Sequence, residues 1–181
     1  MALIDPLSTA DMQNQNPMMR RRSGGSAPSD LGPLMKSWGL RMDAEKVVAD
    51  LVNVTRVRNP QTGQPMAMPT ILTLTGDAIA QDNPATSGLE SLLVAFAGAI
   101  RGETVDGIES EVLLSTSTQT DMVEAFKAHR SPESVKKTFS ALEERLPLAV
   151  LLRGSFKTAF PTGKPKNKKA DDEKNTPEKD P

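Results

Sequence analysis

The run Leu148-Ala-Val-Leu-Leu-Arg153, bounded by Pro147 and Gly154, constrains this chain most. Five unbroken apolar residues, Leu148 to Leu152, closed by Arg153 and without helical spacing, predict a buried core strand. Phe156 and Phe160 then mark a loop punctuated by Pro and Gly, and beyond Lys164 the only apolar residue is Ala170. The core must therefore lie upstream of that loop, with this strand as its last member.

The 181 residues are enough for one core. Segments 8–28 and 161–181 are poor in large apolar side chains, which leaves roughly 130 residues of folding material. The expected organisation is one unit over 1–163, with 8–28 as a flexible loop and 164–181 as a disordered polar tail. That tail mixes lysines with Asp and Glu, so their fields cancel. A net charge of −1 gives no steering towards nucleic acid. One Trp, five Phe and no Tyr supply no stacking platform for it either. The lack of cysteine excludes disulfides, thiolate nucleophiles and Cys-based zinc sites. Met1 to Pro6 lacks the basic region and apolar length of a signal peptide. No window reaches the ~18 apolar residues of a membrane span, so the chain reads as soluble.

Local patterns place the elements. Leu31, Leu34, Met35 and Trp38 share one face of a helix over Asp30 to Trp38, and Gly39 suits its left-handed cap. Val47 to Ala49 reads as a strand ending at Asp50. Val52 to Val57 and Ile71 to Thr75 alternate around the turn chemistry of Asn59 to Gly63, predicting a hairpin with a long tip. Leu92 to Ala97 fits a strand and 87–100 fits a helix; periodicity leaves both open. Glu111 to Ser115 reads as a strand, and Asp121 to Lys127 as a helix. Ser131 and Pro132 open a helix to Arg145 whose apolar face is Val135, Phe139, Leu142 and, beyond its end, Leu146. Ala2 to Ile4 reads as the end of a buried strand. Strands alternating with amphipathic helices predict an α/β layered domain with a mixed sheet.

Candidate sites are few. Gly154 to Lys164 superficially suggests a phosphate loop, but its glycines are nine residues apart and Pro165 stands where a hydroxyl residue is needed. The expected structure is a strand-exit loop pinned by Phe156 and Phe160. His129, the sole histidine, follows the predicted helix as a solvated loop residue and has no partner for a zinc motif or a triad. Asp5, Asp50 and Asp77 each follow an apolar run, and strand C-termini are where open α/β sheets hold their sites. Ser115, Thr116, Ser117 and Thr118 lie between a strand and a helix, where hydroxyls and amides can hold an anion. Asp5, Asp50, Ser115, Thr116, Ser117 and Thr118 thus form a candidate ligand edge, against the plainer reading of caps and turns. No catalytic residue, cofactor or metal site is expected.

Several segments in order resemble a known family. They are Ile4-Asp-Pro-Leu-Ser8, Ser29-Asp-Leu-Gly-Pro-Leu-Met-Lys-Ser-Trp-Gly-Leu40, Val47-Val-Ala-Asp50, Leu113-Leu-Ser-Thr-Ser117 and, most distinctive, Leu148 to Pro165. From about residue 2 to 165 the chain resembles the soluble domain of the GldG-like family, auxiliary components of ABC-type transport systems associated with gliding motility. The resemblance implies a Rossmann-like or flavodoxin-like fold and a non-enzymatic role through protein or polysaccharide contacts. It implies the transporter's permease and ATPase subunits as partners. It also implies inner-membrane association on the extracytoplasmic, periplasmic side through segments missing here. Relatives continue on both sides of these motifs, so the chain reads as a fragment with an incomplete sheet and open edges. The alternative expectation is a small-ligand or sugar-binding α/β domain, or a degenerate hydrolase relative.

Overall fold

Every strand pairing among the described residues is antiparallel. The computed structural model describes residues 31–161 except 60 and 61, together with 4, 6, 7 and 163. The order is α1 (Gly32–Ser37), β1 (Leu40–Met42), β2 (Lys46–Asp50), β3 (Val54–Arg58), β4 (Pro65–Thr75), a 3-10 turn (Gly76–Ala78) and β5 (Ser91–Ala95). Then come β6 (Ile100–Gly102), β7 (Ile108–Ser115), β8 (Thr120–Glu124), α2 (Ala125–Arg130), α3 (Pro132–Thr138) and β9 (Pro147–Gly154). The sheets are β1-β6, β2-β8, β3-β4-β5 and β7-β9. Smaller links join them: β6 packs beside β9, Ile79 bridges Leu114, and the Val48 amide donates to the Ala97 carbonyl at 2.8 Å.

This arrangement overturns the predicted Rossmann-like or flavodoxin-like α/β layering. A parallel crossover takes about a dozen residues or more, usually as a helix that covers the sheet. Here α1, α2 and α3 have six, six and seven residues. None is long enough to make that crossing.

The error has a local origin. The predicted helix to Arg145 stops at Thr138, where Phe139 adopts extended backbone at φ −61°, ψ 128°. Tertiary bonds draw the following amides away from helical partners. Ser140 N donates to Asp121 Oδ2 at 3.0 Å, and Leu142 N donates to the Thr120 carbonyl at 2.8 Å. The supposed helical face is split as a result. Val135 and Phe139 join one apolar cluster, Leu146 joins the other, and Leu142 is exposed. The predicted helix at Asp121 to Lys127 is likewise displaced, because pairing with β2 extends Thr120–Glu124 and the helix begins at Ala125. His129 therefore belongs to α2 and not to a loop. Pairing with β4 makes Ser91–Ala95 a strand. Ile4 lies outside any strand; the rest of the predicted Ala2 to Ile4 strand, with segments 8–28 and 164–181, falls outside the described residues.

Other local readings hold. The hairpin forms as β3 and β4, although β4 begins at Pro65 and pairs with Arg58, so its tip is shorter than expected; Glu111 to Ser115 forms within β7, and α1 is followed by Gly39 at φ +84°. β9 forms where the apolar run predicts it, but Pro147 to Leu152 is half-buried throughout rather than sealed in the core. At its end Gly154 has φ +142°, and a Cβ there would lie 2.0 Å from the Gly107 carbonyl oxygen. Only glycine allows β7 and β9 to approach so closely.

β2 gives fully buried residues to both clusters. Alternation sends Val47 and Ala49 to one face, with Leu7, Phe96, Ala125, Ala128 and Val135. Val48 points to the other, with Leu72, Leu74, Ala78, Ile79, Ala99 and Leu146. A fully buried Leu or Val of this kind stabilises the fold by about 1.5–3 kcal/mol. This double burial carries the chain to Asp50 with no exposure at Val47, Val48, Ala49 or Asp50 itself.

Candidate functional site

Asp50 closes β2 and its carboxylate faces donors from two loops. Oδ1 accepts Val52 N at 2.8 Å, Asn53 N at 3.0 Å and Ser117 Oγ at 2.8 Å. Oδ2 accepts Asn53 Nδ2 at 2.8 Å and Ser117 N at 2.7 Å. The Asp50-to-Asn53 part is an Asx-type turn, in which a short acidic side chain satisfies the amides just after it. The Ser117 part joins segments far apart in the chain. Leu51 N donates to the Gln119 carbonyl at 3.0 Å, so backbone closes the same junction.

Two buried threonines reinforce it. Thr116 Oγ1 accepts Leu146 N at 2.8 Å and donates to the Ser117 carbonyl at 2.8 Å. Thr120 Oγ1 donates to the Ala49 carbonyl at 3.0 Å. These bonds link β2, β8, the 116–119 loop and the approach to β9.

Burial pushes the Asp50 carboxyl up, but the amides of Ser117 and Asn53, aided by both side chains, together hold it below the ordinary carboxylate value. The group is thus ionised at neutral pH and a poor proton acceptor. A carboxylate has about four lone-pair positions, and five donors already occupy this one. Little acceptor capacity remains for a cation or a ligand hydroxyl. Ser117 donates directly to Asp50 with no imidazole between them, so its hydroxyl lacks the base that a serine nucleophile needs. The chemistry of the cluster is that of a latch.

The structure brings together only part of the predicted ligand edge. Asp50, Thr116 and Ser117 meet. Ser115 ends β7 opposite Pro147 and is half-buried. Thr118 is exposed and makes none of the bonds to Asp50. Asp77 is exposed and pairs with Arg145, tying the 3-10 turn to the segment before β9. Asp5 lies outside the described residues. Sequence reading missed Asn53 and Thr120; the Asp-x-x-Asn spacing signals the first, while nothing local signals the second.

The exit loop is held by backbone and by one ring contact, with Ser155 N donating to the Gly107 carbonyl at 3.0 Å. Phe156, itself 46% exposed, meets Trp38 edge-on, with centroids 5.1 Å apart and planes at 69°; Phe160 is exposed as well, at 44%. A cavity of about 410 Å³ opens beside α1 and β1, lined among others by Met35, Lys36, Leu40, Arg41 and Met42. It shares no residue with the Asp50 cluster. Among the described residues no group of three or more His, Cys, Asp or Glu could hold a metal, and no helix is long and apolar enough to cross a membrane.

A model of the family described as an ABC-type uncharacterized transport system matches residues 1–180. The chain belongs to that family. It is an auxiliary component of an ABC-type transport system. This membership agrees with the GldG-like motif order from Ile4 to Pro165. No curated protein and no solved structure gives a match.

Proposed function

We propose that the chain is a docking part of its transport system, acting through protein–protein contacts and carrying out no chemistry of its own. The supporting observation is Asp50, whose hydrogen-bonding capacity is spent on holding two loops together. The latch has an outward consequence. Leu51 and Val52, on the loop it holds, are 42% and 64% exposed. A rigid apolar tip costs little conformational entropy when it meets a partner. Polysaccharide contact is less favoured, because Trp38 is half-buried and already engaged by Phe156. The small-ligand, sugar and hydrolase readings lose their main support with the saturation of Asp50.

The GldG-like resemblance extends this reading. The partners are the permease and ATPase subunits, the location is the extracytoplasmic side of the inner membrane, and the setting is gliding motility. The test is co-purification of the tagged chain with the permease and ATPase of its system from detergent-solubilised membranes. Retention of both above an untagged control supports docking. A clean preparation that retains neither overturns it.

A further inference from the structure

We propose that the outer edge of β3 receives an extended acidic peptide as an added strand. The inference rests on the docking reading and names a surface and a partner chemistry for it. β3 ends the β3-β4-β5 sheet, and among the described residues the backbone of Val54–Arg58 pairs with β4 alone.

The hairpin sets which groups face outward. Asn59 N donates to the Gln64 carbonyl at 2.9 Å, next to the pair Arg58–Pro65. Proline has no amide hydrogen, and antiparallel pairs alternate between bonded and unbonded. Val57–Met66 and Thr55–Met68 are therefore bonded pairs, while Arg58–Pro65 and Arg56–Ala67 are unbonded ones. The amides and carbonyls of Arg56 and Arg58 consequently point away from β4, towards the open edge.

The side chains of Arg56 and Arg58, two residues apart, share one face. Both residues are exposed, and neither forms an ion pair among the described residues. A strand added at about 4.8 Å would bring its own alternate side chains beside these guanidiniums. Carboxylates at that spacing would meet them with charge-assisted, bidentate geometry. Addition of a second copy's β3 would set arginine against arginine, which disfavours that occupant. The overall charge of −1 also works against a nucleic-acid strand.

The probe is a fluorescein-labelled six-residue peptide of alternating glutamate and valine, titrated into the full chain by fluorescence anisotropy. Saturable binding is expected, weakened about tenfold or more by Arg56→Glu/Arg58→Glu and by about 0.5 M salt. Amide shifts should concentrate on Val54–Arg58, and the lysine–valine counterpart should not bind. Unchanged thermal melting of the double variant establishes that it folds. Equal binding of both peptides, insensitivity to the double substitution, or shifts centred elsewhere would overturn the proposal. So would a change of oligomeric state on mutation without a change in peptide affinity, since it identifies a second copy as occupant. Co-purification that survives the double substitution, without peptide binding, rejects the edge and keeps the docking reading. Failure of the wild-type co-purification rejects docking whatever the peptide does.

Discussion

Replacing Asp50 by alanine removes the acceptor for three backbone amides, those of Val52, Asn53 and Ser117, and for two side chains. A buried donor left unpaired costs about 1–3 kcal/mol. The loops lie near solvent, so water recovers part of this. The expected loss is about 3–4 kcal/mol, a large share of the 5–15 kcal/mol of a typical domain. Asp50→Asn keeps one oxygen. In its better orientation the three bonds to Oδ1 survive, and its amide nitrogen then confronts the Ser117 N–H and the Asn53 Nδ2 donor. That variant should lose about 2 kcal/mol. Urea unfolding followed by the fluorescence of Trp38, the only tryptophan, measures both. The pH dependence supplies a further check. The folded-state pKa of Asp50 lies below its ordinary value of 3.8. Its stabilisation is therefore complete well above pH 3.8 and drains away as pH falls through the folded value. Wild type should lose stability across that acid range more steeply than Asp50→Asn. An alanine variant within about 1 kcal/mol of wild type at pH 7 would refute the latch.

Three further substitutions probe neighbouring features. Gly154→Ala should destabilise by about 2–3 kcal/mol in thermal melts, because its Cβ would lie 2.0 Å from the Gly107 carbonyl oxygen at φ +142°. Thr116→Val keeps the shape but leaves Leu146 N without its acceptor, an expected loss of about 1–3 kcal/mol in urea titrations. Phe156→Ala should shift Trp38 emission to the red and cost about 1 kcal/mol, since the edge-on contact goes with it.

What was legible in the chain was local. The apolar run before Gly154 and the alternation around Asn59 to Gly63 each identify their element from neighbouring residues. Gly39 likewise marks the end of α1. The Asp-x-x-Asn spacing at Asp50 signals a turn in the same way. Helical periodicity fails where partners distant in sequence compete for the amides. Asp121 and Thr120 draw off the chain after Thr138, and β2 extends what helical periodicity claimed for α2. The candidate site follows the same rule. Asp50 could be singled out as a carboxylate at a strand end, but whether it was free or committed could not be read from that position.

By itself, then, the sequence determined most strands, the hairpin and the family's motif order, since these depend on periodicity and turn chemistry over a few residues. Tertiary structure alone decided the antiparallel assembly and the fate of Asp50. Ser117 lies 67 residues away, and no local pattern records that its amide and hydroxyl will arrive. Their arrival leaves the ionised carboxylate fully bonded, and so turns a possible ligand site into a structural latch.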